Sequence, residues 1–244
     1  MKFILVKTRA FLPPKDNIYD LFDKHLPSLC EGDILIITSK ILGIHQGRTV
    51  KIVEDNLKEK DKLAIREVTR YIPRSQSPHE YSMLTINQNV LISAAGIDRS
   101  NGNGYYILWP KNTQKLMKEI WQYLKKKNKI KKLGVIAIDS YSTPLRSGTL
   151  GVSIGFYGIK PISDRRGQKD IFGRKLKVTQ VNIADSLATF GNLLMGEGNE
   201  KTPLLIMRGL KFSEFSNRNL YKSLIVNPDL DMFQPLLKHM KKKK

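Results

Sequence analysis

Cysteine is nearly missing from this sequence: Cys30 is the only one in 244 residues. That excludes an intrachain disulfide and every multi-cysteine zinc pattern, and it fits a reducing, cytoplasmic setting. The four histidines, His25, His45, His79 and His239, show no metal-ligand spacing, and nothing reads as a Ser/His/Asp or Cys/His motif. No Gly-Lys dipeptide occurs, so a P-loop is absent, and Gly102-Asn103-Gly104 lacks the later glycine of a dinucleotide fingerprint. The apolar run Phe3 to Val6 is too short for a signal-peptide core, and no stretch reaches the roughly 18 apolar residues of a membrane span. A soluble protein with no membrane partner is expected. Internal repeats and Pro/Ser-rich linkers are also absent, so a second domain would be stitched into the first, not strung after it.

Acidic residues are few as well: 22 against 42 Lys and Arg, for a formal charge of +20. The excess is local. Lys111 to Lys132 carries nine lysines and one glutamate, and Lys238 to Lys244 adds five lysines. Such clusters hold nucleic acid through counterion release, but aromatic residues are not interleaved with them as a stacking platform requires. They read as a solvated helix face and a frayed tail, and nucleic acid is not expected as a partner. The same positive field attracts polyanionic small molecules such as nucleotides.

What is present is a core: 41% of the residues are hydrophobic. Strand-like apolar runs occupy Phe3–Val6, Asp33–Thr38, Val90–Ala95, Gly134–Ile138, Gly151–Phe156, Leu176–Val181 and Leu204–Met207. Leu116, Met117, Ile120, Trp121 and Leu124 make one face of a helix, and Ile183 to Met195 forms another. Strands and helices mix without a regular βαβ beat, which predicts an α+β (mixed α/β) fold. After Phe212 the pattern breaks at Asn227, Pro228 and Pro235, as in an irregular C-terminal extension over about 212–244.

Three strand or helix ends carry oxygen ligands. The stretch GVIAIDSYSTPLRSGTLGVSIG, from Gly134, ends a buried-type strand in Asp139 and Ser140. Burying a carboxylate alone is costly, so an arginine, a run of backbone N–H groups or a metal ion must meet Asp139. NVLISAAGIDRSNGNG repeats the plan with Asp98, Ser100 and Asn101, and in LLMGEGNEKTPLLIM Glu197 lies between Gly196 and Gly198. Each acid alone is a turn former or helix cap. Together they are the oxygen set that hard divalent cations take.

The segments IDSYSTPLRSGTLGVSIGFYG, PISDRRGQKDIFGRKLKVTQVNIADSLA and LLMGEGNEKTPLLIMRG resemble the coenzyme F420-0:L-glutamate ligase (CofE) family. MGEGNEKTPL, KFSEF and the closing PLLK are most similar to its folate-metabolism gamma-glutamate ligase branch. The likeness spans nearly the whole chain, is strong from Ser93 to Gly209, and is poor over Ile52 to Met83.

The resemblance implies a single CofE-like unit over 1–244, with a two-part fold, an inserted subdomain at about 145–195 and an intertwined homodimer. It implies joining of L-glutamate by a gamma-linked amide to a folate-type (pterin) acceptor, with a deazaflavin acceptor, as in coenzyme F420, as the alternative. A nucleotide-binding relative without catalysis is a third reading. GTP or ATP would be cosubstrate, with two Mg²⁺ or Mn²⁺ ions and K⁺ as a further candidate ion. Asp98 and Asp139 match the ligands of one metal, and Ser140 and Glu197 those of the second. Leu12, Pro13, Ser39, Lys40, Asn101 and the loop Met195, Gly196, Glu197, Gly198, Asn199 to Thr202 match the nucleotide contacts. Asp98, Asp139 and Arg146 are the expected catalytic set. Arg146, Arg165, Arg166 and Arg174 are candidates for the carboxylates and phosphates of the substrates, or else surface partners of Asp164 and Asp170.

The chain also departs from the pattern. Ile44 stands where many relatives have a lysine, which leaves phosphate neutralisation to Lys40 or Arg48. Ser140 replaces a threonine and keeps its hydroxyl. Leu145 replaces a tryptophan, which opens the question of the acceptor.

Overall fold

The structure is a computed structural model that describes residues 1–54 and 56–243; Asp55 and Lys244, the last residue of the C-terminal lysine cluster, lie outside the described residues. Within them the first half of the chain runs β1 (Lys2–Val6), α1 (Ile18–His25), β2 (Asp33–Thr38), α2 (Ser39–His45), β3 (Thr49–Lys51), α3 (Leu57–Glu67), β4 (Arg70–Ile72), β5 (Leu84–Asn87), β6 (Val90–Ser93), β7 (Tyr105–Ile107) and α4 (Thr113–Asn128). The second half runs β8 (Leu133–Tyr141), β9 (Leu150–Tyr157), β10 (Ile162–Asp164), β11 (Gln180–Asn182), α5 (Ile183–Met195), β12 (Leu204–Arg208), α6 (Tyr221–Leu224), α7 (Gln234–Leu237) and β13 (Lys241–Lys242). This is the expected α+β class.

The central sheet has the order β1-β12-β2-β8-β9. Its inner strands read as continuous apolar runs because both faces are covered, and alternate side chains go to opposite layers. Leu35, Ile37, Val135 and Ala137 pack with Leu21 and Phe22 of α1 and with Leu116, Met117, Ile120, Trp121 and Leu124 of α4. Ile34, Ile36, Ile136 and Ile138 pack on the other side with Ile183, Ala184, Leu187, Ala188 and Met195 of α5. The layers therefore run helix, sheet, helix. Close approach of α5 to β9 needs Gly151, where a Cβ would sit 2.2 Å from the carbonyl oxygen of Ala188. Asn182 starts α5 by accepting the Asp185 N–H at 3.0 Å.

A second sheet, β13-β4-β5-β6, lies beside this body. A smaller core joins Leu63, Ala64 and Val68 to Met83, Ala95, Ile97, Tyr106 and Leu108. Among the described residues no helix is long and apolar enough to cross a membrane.

Several expected elements change. The run Val90–Ala95 is strand only to Ser93; Ala94 to Gly96 turn through positive φ angles of 45°, 60° and 72°. Leu176–Val181 is strand only at Gln180 and Val181, since the segment before them forms the loop end of a hairpin whose Asp164 and Gln180 pair. The C-terminal extension is irregular, but its described lysines are not frayed: Lys241 and Lys242 pair antiparallel with β4, the Lys243 N–H donates to the Thr69 carbonyl at 3.0 Å, and Met240 is buried. The unbroken run of lysines hides that strand from a composition argument, because an edge strand accepts lysines facing water. From the stretch 145–195, β9 and α5 belong to the central layers, and only the β10–β11 hairpin stands apart.

Candidate active site

Among the described residues β2 and β8 form the one parallel pair of the central sheet, with Thr38 opposite Ile138. Ser39 and Asp139 therefore leave the sheet side by side at its carboxyl end, where open α/β sheets bind their ligands. Asp98 reaches the same place through a bridge to β7: its N–H donates to the Ile107 carbonyl at 3.0 Å and its carbonyl accepts from the Ile107 N–H at 2.8 Å.

These residues line a cavity of about 460 Å³ together with Lys40, Asn101, Ser140 and the loop Met195 to Thr202. Asn101, held at a positive φ of 56°, donates its side-chain N–H to the Gly198 carbonyl at 2.9 Å and stitches two walls together. Glu197 accepts from Asn192 Nδ2 at 2.8 Å, and Thr202 Oγ1 donates to the Met195 carbonyl at 2.6 Å. The four expected metal ligands thus share one cavity. Among the described residues no three His, Cys, Asp or Glu side chains form a group for one ion.

Charge is arranged unevenly across the floor. Lys40 Nζ lies 2.7 Å from Asp98 Oδ2 and 2.8 Å from Ser100 Oγ. Burial pushes the Asp98 carboxyl up, but the Lys40 ammonium and the Ser100 hydrogen bonds outweigh it, and the net pKa is below the ordinary carboxylate value. Asp139 goes the other way. Burial pushes it up to about 7, the charge of Asp98 adds to the rise, and hydrogen bonds from the Trp109 indole, the Ser140 N–H and the Ser39 hydroxyl only partly offset it. The indole, a backbone N–H and a hydroxyl, all neutral donors, thus meet Asp139.

Other expected residues lie elsewhere. Leu12 and Pro13 sit just beyond the rim, and the adjacent Thr8, Arg9, Ala10 and Phe11 line the cavity instead. Arg48 is not free for phosphate: it pairs with Glu67, and its Nε–H donates to the Trp109 carbonyl at 3.2 Å. Arg146, Arg165, Arg166 and Arg174 are not part of the cavity lining. Arg166 forks onto Asp164, which is the surface pairing considered for it, and the backbone N–H of Arg174 donates to Asp170 at 2.8 Å. Trp109, Arg9 and Asn192 escaped the sequence reading because no motif marks them as site residues.

A model of the F420-0:Gamma-glutamyl ligase family matches residues 10–209, so the chain belongs to that family and to the amide-forming ligases. A coenzyme F420:L-glutamate ligase of Methanopyrus kandleri is 29% identical over 91% of this chain and 92% of its own length. The ligase of the same name from Methanosarcina mazei is 34% identical over 87% of this chain and 88% of its own. That of Methanococcus maripaludis strain S2 is 41% identical over 57% of this chain and 55% of its own. These names favour the deazaflavin alternative over the expected folate-type acceptor.

Proposed function

We propose that this protein joins L-glutamate through a gamma-linked amide to an F420-type deazaflavin acceptor, using a nucleoside triphosphate. The observation that supports it most is the convergence of Asp98, Asp139, Ser140, Glu197 and Lys40 on one cavity in a chain of this family. Two carboxylate-bearing partners do not condense unaided. The acceptor carboxylate takes the terminal phosphoryl group, diphosphate of the nucleoside leaves, and the glutamate amine then displaces phosphate from the acyl phosphate. The barrier is mostly electrostatic, because anions must meet and charge moves to the leaving group.

The donor set fits divalent cations: two carboxylates of the floor, a hydroxyl and a loop carboxylate are hard oxygen ligands, and the Lys40 ammonium already takes a cation's place on Asp98. Asp98 and Asp139 would hold one ion and Ser140 and Glu197 another, supplying charge neutralisation and a template for phosphate and carboxylate oxygens. Lys40 is the cavity ammonium best placed for the terminal phosphate in place of the lysine that Ile44 replaces. Asn101 and the loop Met195 to Thr202 hold the nucleotide, with Thr8 to Phe11 beside that loop, where the Thr8 N–H donates to the Lys201 carbonyl at 2.9 Å.

The test is incubation with L-glutamate, GTP or ATP, Mg²⁺ or Mn²⁺, and either the deazaflavin F420-0 or a pterin acceptor, with mass spectrometry of the acceptor. One glutamyl unit on the deazaflavin and none on the pterin is expected. Addition to the pterin alone would restore the folate reading.

We also propose that two copies pair through the β10–β11 hairpin. Its loop exposes Ile171 at 92%, Phe172 at 89% and Val178 at 84%, an apolar set that water does not favour and that a second copy can cover. Light scattering on the purified protein is expected to give twice the 27.9 kDa chain mass, and Phe172→Asp is expected to give the monomer. A monomeric parent would remove this pairing.

A further inference from the structure

Trp109 carries a function beyond core packing. It is 3% exposed, and its indole Nε1–H donates to Asp139 Oδ2 from thirty residues earlier in the chain. An indole N–H is a donor and never an acceptor, so the contact has one sense: ring nitrogen toward carboxylate oxygen.

Gly96 makes room for the ring, and the backbone that carries it is held at Trp109 and Pro110. Behind the indole lies Gly96, at a positive φ of 72°, where a Cβ would sit 2.2 Å from Nε1. Any larger residue would drive the ring off the carboxylate. The Trp109 carbonyl accepts from Arg48 Nε, and Arg48 is itself fixed by Glu67. The following residue, Pro110, accepts through its carbonyl from Gln88 Nε2 at 2.8 Å and from Thr113 Oγ1 at 3.0 Å. A phenylalanine would fill most of this space, but it would leave the carboxylate oxygen without its donor. The two tryptophans differ here. Trp121 spends its N–H on a backbone carbonyl, that of Leu133, as a core tryptophan ordinarily does.

We propose that Trp109 is the positioning residue of Asp139, fixing the orientation of that carboxylate at the cavity floor so that it meets a divalent cation. This rests on the reading of Asp139 as a cation ligand. Groups that orient a ligand through a hydrogen bond typically change metal affinity by about 10–100-fold when removed.

The experiment is Mg²⁺ titration by calorimetry on the full chain, on Trp109→Phe and on Asp139→Asn, with circular dichroism to show that each is folded. Trp109→Phe is expected to bind Mg²⁺ about 10–100-fold more weakly, and Asp139→Asn not measurably. Nuclear magnetic resonance of the unaltered chain gives a second readout, in which a variant serves only to assign the signal. Of its two indole N–H signals, the one that persists in Trp121→Phe is expected to shift on adding Mg²⁺, and the Trp121 signal to stay. If the parent and Asp139→Asn bind Mg²⁺ alike, the cation site itself is wrong and this inference falls with it. If Asp139→Asn loses binding while folded Trp109→Phe keeps the parent affinity, or if Mg²⁺ saturation leaves the Trp109 signal unmoved, Trp109 is only a core residue.

Discussion

Asp139→Asn is expected to cut glutamate-dependent nucleotide cleavage by roughly 10²–10³-fold, as removal of a group that stabilises developing charge does. The same change is expected to stabilise the ion-free fold at neutral pH. The sign follows from the raised pKa. Burial pushes Asp139 up to about 7, whereas the same carboxyl in the unfolded chain titrates near 4. Between those values the folded protein holds a proton that the unfolded chain has released. Stability from this group is therefore full below about pH 4, falls as pH rises to about 7, and stays at its lowest above that. With each pKa unit worth about 1.4 kcal/mol and water reaching one side of the group through the cavity, the loss is on the order of 2–4 kcal/mol. Asparagine has no charge to bury and its amide oxygen still accepts from the indole, so the part of the slope that Asp139 contributes should vanish. Urea unfolding of both proteins at pH 5 and pH 8 without divalent ions measures it. An active variant would remove Asp139 from the chemistry, and an equal pH slope would mean that the carboxylate is well solvated.

Asp33→Ala is expected to cost about 3 kcal/mol of stability and to leave turnover per folded molecule within about twofold. Asp33 is fully buried at the start of β2. Arg208 of β12 forks onto it at 2.8 and 2.7 Å, and the Cys30 N–H donates to it at 2.8 Å. Removing the carboxylate leaves a guanidinium and an N–H without their acceptor. The cost stays at the low end for a broken buried pair because the Arg208 side chain is 31% exposed and can turn to water. Activity is spared because the pair lies at the opposite end of the strand from Ser39, about 20 Å away along six residues of β2. Thermal unfolding and assays well below the melting temperature separate the two effects. Loss of turnover with an unchanged melting temperature would contradict this division between the two ends of β2.

These two aspartates show how much was legible. Both follow or begin apolar runs, so their place at strand ends could be read directly, as could the α5 boundaries Ile183–Met195 and the buried face of α4. The oxygen-bearing loops at Asp98, Asp139 and Glu197 were legible too, because strand ends and glycine turns carry local marks. Their partners were not. The contacts Trp109 to Asp139, Lys40 to Ser100 and Asn101 to Gly198 span 30, 60 and 97 residues, and no period in the chain connects such positions. Arg48 shows the converse: a cation near a nucleotide-type segment looked available, but Glu67 and the Trp109 carbonyl hold it.

The sequence by itself determined the inner strands of the central sheet, the helices α4 and α5, and which loops bear oxygen ligands, because continuous apolar runs and apolar spacing at 3.6 residues are a local record of burial. Tertiary structure alone decided that Ser39 and Asp139 emerge together from the β2–β8 pair, that Lys40 leans on Asp98, and that an indole meets the buried carboxylate. Those outcomes depend on strand order and on the room left by Gly96, which arise only when distant segments pack against one another.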